Sequence, residues 1–234
     1  MRISIDIDYD FRADSNGKDP DAYSKALRAY HQFLWSKPLP SKGILELDRN
    51  LNNVSSCGAF SFASDSIMPT YSYWDAYQSI IKQIDQRQLQ LFEHHTYTIG
   101  GMIIFPRNRI ENKMTINMSR GVNKYIRDRF DLTLECIRRY YRREKSPLYD
   151  CLRRYASFFD LFDGFDGYVS FFFLQDLLAD DQSIRFFLPF SDFSKDALPQ
   201  TPNAYYDFME NSIQFIERRA QRIAKWSMSV PESR

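Results

Sequence analysis

This chain of 234 residues has few cysteines, few glycines and almost no net charge. Three cysteines leave at least one thiol unpaired, which excludes a disulfide framework and favours a reducing compartment. Eight glycines are too few for a glycine-rich all-β chain. The formal net charge of +1 gives the whole molecule no strong attraction to nucleic acid or to anionic membranes, so any such attraction must come from a local patch.

Long apolar runs are missing as well. The longest aromatic run, YVSFFFLQ from Tyr168, is far shorter than the roughly 18 apolar residues that a membrane span needs. The first residues, MRISIDIDYD, are charged and alternating, which is not typical of a signal peptide. We therefore expect a cytoplasmic protein that makes no membrane contact.

Signatures of known reactions are absent too. The chain has no phosphate-binding loop, no dinucleotide-binding fingerprint and no G-x-S-x-G serine motif. Its histidines lack the spacing of zinc ligands, and it has no C-x-x-C pair. A nucleophilic cysteine–histidine pair stays open because such partners meet only in space, although two of the cysteines fall in helical patterns where buried packing is commoner. The residues concerned are His31, His94, His95, Cys57, Cys136 and Cys151.

Six aspartates crowd the first 21 residues, and clustered carboxylates hold Mg²⁺ or Ca²⁺ in many proteins. They are Asp6, Asp8, Asp10, Asp14, Asp19 and Asp21. The pattern of a calcium loop, with acids at alternate positions closed by a glutamate, is missing. We therefore expect a solvated strand face or salt-bridge partners for a basic helix, and neither a metal site nor a cofactor.

Aromatic residues are plentiful, with 20 Phe, 15 Tyr and 3 Trp, and they predict an aromatic-rich core. Strict alternation predicts a strand over residues 2–10, and the stretches TYTIGGMIIFP and KMTINMS predict a hairpin. Shorter strands are expected at GILELD, GAFSFASDSI and SIRFFLPF. The stretch GYVSFFFLQDLL fits a buried strand and a helix equally well.

Helical spacing of apolar residues covers much of the remaining chain. The predicted helices cover residues 22–35, 74–84, 87–95, about 123–144, about 148–162 and 201–226. Hairpin signals outnumber strand–helix–strand units, so we expect an α+β fold with an antiparallel or mixed sheet covered by several helices. A single domain over residues 1–234 is expected, with a loose tail at about 228–234.

Several long strings carry a resemblance to a known group of proteins. They are DPDAYSKALRAYHQFLWSKPLP, YTIGGMIIFP, TINMSRG, DRFDLTLECIRRYY and FFDLFDGFDGYVSFFFLQDLL. Together they resemble an uncharacterised bacterial family of unknown function over about residues 6–225. The resemblance implies a single domain and a bacterial or phage source, and it assigns no catalytic residue.

The stretch RDRFDLTLECIRRYYRRE, residues 127–144, carries six arginines beside a continuous apolar stripe. The stripe consists of Ile126, Phe130, Leu134, Ile137 and Tyr141. Between residues 124 and 154 the chain has ten basic and five acidic side chains, and arginine forks suit phosphate oxygens. A solvated or internally paired helix face explains the same pattern, because Glu135 can pair with Arg138 and Arg139 along the helix.

We expect the arginines to carry whatever anion affinity the protein has, with the S-R-G turn before the helix adding backbone amides. The predicted anion ligands are Arg120, Arg127, Arg138, Arg139, Arg142 and Arg143. The leading hypothesis is a protein that binds a nucleotide or nucleic acid. The alternative is a non-enzymatic protein-binding inhibitor or regulator of a host or defence complex. If the protein is an enzyme, Glu135, His31 and Asp8 are the first acid–base candidates.

Overall fold

The computed structural model describes residues 6–40, 43–48, 50–53, 60–67 and 77–229. The two strands in this part of the chain are β1 (Phe62–Ser66) and β2 (Met102–Pro106). The helices are α1 (Pro20–Tyr23), α2 (Lys25–Trp35), α3 (Gln78–Ile81), α4 (Gln86–Thr96), α5 (Ile116–Val122), α6 (Phe130–Tyr141), α7 (Tyr149–Arg154), α8 (Ala156–Phe159), α9 (Phe165–Phe171) and α10 (Pro202–Ser229). Single turns of 3-10 helix follow at Asp160–Phe162 and Gln175–Leu177. The predicted α+β class, with an antiparallel sheet and several helices, is confirmed.

Side-chain caps explain where several helices begin. The Ser24 hydroxyl accepts a hydrogen bond from the Leu27 N–H at the start of α2. The carboxylate of Asp85 accepts from two backbone N–H groups at the start of α4. Thr115 caps α5 in the same way, through the Met118 N–H. Each cap satisfies amide groups that the first turn of a helix leaves unpaired.

The two strands form an antiparallel ribbon in which Ser64 lies opposite Ile104. All five residues of β2 are buried, whereas β1 is buried only at its two ends. The free edge of β1 is covered by α1, because the Asp21 carboxylate accepts the Ser64 N–H at 2.8 and 3.0 Å. An exposed strand edge is a site of unwanted pairing, and this contact closes it.

Helix α10 lies very close to the segment that leads into β2. A Cβ atom on Gly100 would lie 2.1 Å from the Ile216 carbonyl oxygen, so only glycine permits this approach. Arg219 on α10 is fully buried and donates to the carbonyls of Gly100, Met102 and Phe172 at 2.7–3.0 Å. Glycine at position 100 is thus required by the helix that lies against it.

Aromatic side chains fill the interior, as the composition predicts. The Trp35 ring stacks on Phe62 with centroids 4.3 Å apart and also contacts Phe171 and Phe172. The buried apolar side chains form one connected cluster. None of the helices in the described ranges is both long and apolar enough to cross a membrane.

The predicted hairpin and the long helix are both wrong. Strand β2 pairs with β1 rather than with residues 113–119, and those residues lead into α5 because Thr115 caps a helix there. The helix predicted from residue 123 begins only at Phe130. A turn precedes it because Arg127 and Asp128 adopt left-handed backbone conformations, with φ of 48° and 58°.

Other strand predictions also fail within the described residues. Residues 6–10 are turn and coil rather than strand, and residues 2–5 of that prediction lie outside the described part. GILELD and SIRFFLPF contribute only isolated bridges, including Leu178–Ile184. The ambiguous stretch after Gly167 is helical in α9. Helix α10 includes Ser229, and residues 230–234 of the expected tail are not described.

Candidate functional site

The outward face of α6 carries two arginines that share one buried carboxylate. Glu135 is only 2% exposed, and its two oxygens each accept a hydrogen bond at 2.7 Å, one from Arg138 Nε and one from Arg139 Nε. This is the internal pairing that the sequence left open as an alternative. One carboxylate balances one guanidinium, so the trio keeps a net positive charge while both side chains are held in place.

The end of α6 presents two further arginines. Arg142 is the C-cap residue, and Arg143 follows it with a φ of 60°. The Arg143 N–H donates to the Tyr140 carbonyl at 3.0 Å, and the Glu144 N–H donates to the Arg139 carbonyl at 2.8 Å. These two hydrogen bonds together form a Schellman motif, in which the residue with the left-handed backbone conformation is usually glycine. Arg143 therefore occupies a backbone position at which glycine is the preferred residue.

We define the arginine patch as Arg138, Arg139, Arg142, Arg143 and Lys145. Arg142, Arg143 and Lys145 are exposed, and among the described residues none of the three has a carboxylate partner within 4 Å. Residues 135–145 hold these five cations against two carboxylates, Glu135 and Glu144. The patch is therefore a preformed pair of arginines extended by three exposed cations.

Aromatic rings border the arginine patch on both sides. The Lys145 ammonium lies 4.7 Å from the centre of the Tyr149 ring, and the Arg139 guanidinium lies 4.9 Å from that of Phe193. Tyr140 is half-buried against Phe159, and burial raises its pKa. These rings hold the long cationic side chains by cation–π contact and offer flat apolar surface beside them.

Two exposed carboxylates, Asp181 and Asp192, lie near Arg138 and Arg139 of the patch. Hydrogen bonds from Ser183 and Ser194 lower the pKa values of Asp181 and Asp192 respectively, and nearby Arg138 and Arg139 contribute in the same direction. Both aspartates stay ionised at neutral pH. They limit the positive field near Arg138 and Arg139, so the strongest positive charge lies toward Arg142 and Arg143.

Arg120 lies in the interior instead of joining this patch. Its side chain is fully buried and donates to Asp65 at 2.7 Å, to Thr133 Oγ1 at 3.2 Å and to the Asp128 carbonyl. The S-R-G segment belongs to the last turns of α5 rather than to a strand end. Arg120 therefore links β1, α6 and the turn before it, and it is not available to an external anion.

Arg127 is also internally engaged. It lies in the turn before α6, where its Nη2 atom is 3.0 Å from the Asp196 carboxylate. The structure thus brings Arg138, Arg139, Arg142 and Arg143 together and leaves the other two predicted ligands outside the patch.

A sequence model of a family of unknown function, DUF6994, matches residues 5–223. This chain belongs to that family. No curated protein matches the chain, and no solved structure matches it. The resemblance to a family of unknown function is confirmed, and the family description names neither a reaction nor a ligand.

The acid–base candidates do not meet in one place. Glu135 lies under the arginine patch, and Asp8 is exposed beside His95. His31 is buried in the core, where its Nε2 atom is 2.7 Å from Ser64 Oγ and 3.6 Å from the Asp21 carboxylate. A serine–histidine–aspartate triad needs the carboxylate on Nδ1, but both partners here share Nε2 and Nδ1 has none. The trio does not form a charge-relay arrangement.

The ion-pair network around Arg120 has no signal in the sequence, and it contains the one described carboxyl group whose pKa is clearly raised. Burial raises the pKa of Asp65 to about 6, and the neighbouring Asp128 adds to the rise while Arg120 opposes it. These residues lie on different elements and up to 63 positions apart in the chain. No local spacing could have revealed their contact.

Burial disfavours the thiolate form of both described cysteines. Cys136 and Cys151 are buried and unpaired, and burial raises both pKa values, that of Cys136 to about 12. Their neighbours are Ser146 and Ser119 respectively. Cys57 lies outside the described residues. Within the described ranges no group of three or more histidine, cysteine or acidic side chains is placed to hold a metal ion.

Proposed function

We propose that this protein binds a phosphate-bearing ligand, a nucleotide or nucleic acid, through the arginine patch. The observation that carries the proposal is the pair Arg142 and Arg143, which are exposed and have no acidic partner among the described residues. Arg143 also lies at a left-handed backbone position, where glycine would be favoured.

The ligand class follows from the chemistry of the patch. Guanidinium groups match phosphate oxygens with two parallel hydrogen bonds, and Glu135 already orients two of them at no cost to the ligand. The aromatic rings of Tyr149 and Phe193 beside the cations suit a ligand that also has flat bases. A bare inorganic anion would leave this aromatic border unused.

The bacterial or phage source and the cytoplasmic location are part of the same proposal. The odd number of cysteines and the two buried thiols support a reducing compartment. Phosphate-bearing ligands are abundant in that compartment.

The test is a binding titration against a single-stranded oligonucleotide of about 20 nucleotides, a length that spans one to five typical single-strand binding sites. The double variant Arg142→Gln/Arg143→Gln should bind at least about tenfold more weakly than wild type at low salt, because two phosphate contacts are lost. The control, Arg218→Gln/Lys225→Gln, removes two exposed cations from α10 and should bind like wild type. An equal loss in both variants would show general charge attraction only.

Competition experiments with the same wild-type and variant proteins distinguish a nucleotide ligand from a nucleic-acid strand. Adenosine triphosphate should compete with the oligonucleotide at comparable phosphate concentration if the ligand is a nucleotide, and should compete poorly if the ligand is a strand. If wild type binds neither probe at low salt, the proposed function is wrong.

A further inference from the structure

A second surface lies on α5, apart from the arginine patch. Met114, Met118 and Val122 are 44%, 40% and 61% exposed and recur at every fourth position. On α5 this spacing places Met118 and Val122 on the same face, and Met114 directly precedes the helix cap. We name these three residues the α5 ridge. Exposed methionine is unusual, and its flexible thioether adapts to apolar partners.

A groove of about 660 Å³ runs beside the α5 ridge. Its apolar lining comes from Pro147, Leu148 and Cys151 on the far side and from Met114 and Val122 on the near side. A groove of this size next to an apolar ridge can receive several side chains of a partner. The rest of the lining is polar or charged: Asn112, Lys113, Ser119, Asn123 and Arg154. Single exposed apolar residues need no explanation, but a ridge that continues into a partly apolar groove does.

Arg154 lines this groove and lacks a carboxylate partner among the described residues. Its Nη1 atom donates to the Asp150 carbonyl at 3.1 Å and its Nη2 atom to the Met114 carbonyl at 2.9 Å, while Nε is buried with no acceptor. The acceptors of this half-buried guanidinium are thus neutral carbonyl oxygens. The guanidinium would gain most from a carboxylate placed at the groove.

The charges around the ridge are mainly positive. Arg109 is exposed, and its guanidinium touches the Met118 sulfur at 3.6 Å. Lys113 forms an ion pair with Glu111 at 2.9 Å and is thereby balanced. Asp150 is exposed near Arg154, but only its backbone carbonyl contacts the guanidinium. The pKa of Glu111 is lowered by its hydrogen bond from Lys113 and, to a smaller extent, by the charge of Arg154. Within the described ranges neither Arg109 nor Arg154 forms an ion pair with an acid, and both flank the ridge.

From this arrangement we infer that the α5 ridge and its groove bind an acidic amphipathic helix of a partner protein. Apolar side chains of such a helix would cover Met118 and Val122 and enter the groove, while its carboxylates would pair with Arg154 and Arg109. A nucleic acid fits less well, because the centre of this surface is aliphatic and its cations lie at the rim. This inference does not depend on the function proposed for the arginine patch.

The test is selection of a random-peptide display library against the full chain. Peptides of about 16 residues suffice, since they form roughly four helical turns. Counter-selection uses the double variant Met118→Asp/Val122→Asp, which adds charge on an exposed surface and should leave the fold intact. Enriched peptides should combine leucine, methionine or phenylalanine at helical spacing with glutamate or aspartate. Failure to enrich such peptides would overturn the inference.

Binding of one selected peptide then assigns the residues. Affinity should fall at least about tenfold in Met118→Asp/Val122→Asp and in Arg154→Gln. The matched control is Leu91→Asp, which alters an apolar residue of similar exposure, 52%, on α4. An equal loss in this control would overturn the assignment. Binding to anionic lipid vesicles, or self-association, with loss in the ridge variant would overturn the protein partner in favour of a membrane or a second copy.

Discussion

At the scale of single residues, Arg143 is one of several non-glycine residues with a left-handed backbone conformation, and it also belongs to the arginine patch. A non-glycine residue at φ of 60° costs about 1–2 kcal/mol relative to ordinary conformations. We predict that Arg143→Gly raises the free energy of unfolding by about 1 kcal/mol while weakening anion binding. Arg142 has a φ of −83°, so Arg142→Gly should bring no such gain. Denaturant unfolding of both variants measures this, and a loss of stability in Arg143→Gly would contradict the argument.

Phe130 and Arg139 test the register of α6. Phe130 is 1% exposed and stacks near Phe215, so Phe130→Ala should lower the free energy of unfolding by about 3–5 kcal/mol. Arg139 is 28% exposed and shares Glu135 with Arg138, so Arg139→Ala should cost only about 1 kcal/mol or less. Equal losses in urea unfolding would mean that the helix faces are assigned wrongly.

Asp65 gives the fold a specific dependence on pH. Its pKa rises from an ordinary 3.8 to about 6, so the native state holds the proton more tightly than the unfolded chain does. The stability due to this group is fully present below about pH 4 and is lost as the pH rises through about 6. In Asp65→Asn the slope of unfolding free energy against pH should be less negative between pH 4 and 6.5. A slope like that of wild type would contradict the pKa shift.

At the scale of elements, the helices that could be predicted are those whose sequence signals lie within the helix itself. Helices α2, α4 and α10 were predicted because their apolar spacing and start signals lie within one stretch of chain. Helix α5 was misread as a strand because Met114, Ile116 and Met118 alternate, which fits a period of two as well as a helix. The N-cap at Thr115 favours the helix, and the alternation that suggests a strand extends over only three apolar residues.

Long-range contacts account for the other errors. The pairing of β1 with β2 joins residues about 40 positions apart, so no hairpin signal exists for it. The stripe from Ile126 to Phe130 suggested an unbroken helix, yet Arg120 holds the Asp128 carbonyl and fixes a turn there. The same distance in sequence hid the burial of Arg120, whose partner Asp65 lies 55 residues earlier. The pairing of Glu135 with Arg138 and Arg139 could be predicted from the sequence, because the three residues lie within about one helical turn.

At the scale of the whole molecule, we predict that the fold needs no covalent crosslink. Cys136 and Cys151 are free, buried thiols in a core of more than fifty apolar side chains. Thermal unfolding should therefore give the same midpoint with and without a reductant. A marked drop in the midpoint on reduction would contradict this account and would point to a bond involving the remaining cysteine.

The charge of the whole molecule sharpens the interpretation of the arginine patch. Because the formal net charge is only +1, a general attraction to polyanions is weak, so the proposed binding of a polyanion would have to be concentrated in the patch. Salt dependence separates these cases, since each neutralised phosphate releases counterions and adds about 0.7 to the slope of log affinity against log salt for a single strand.

The most direct test is therefore the salt slope of oligonucleotide binding. For wild type we expect a steep slope, and for Arg142→Gln/Arg143→Gln a slope smaller by about 1 to 1.5, the value for two lost phosphate contacts. The α10 variant Arg218→Gln/Lys225→Gln should keep the wild-type slope. Identical slopes in all three proteins, or no binding by wild type at low salt, would contradict a phosphate-binding role for the arginine patch.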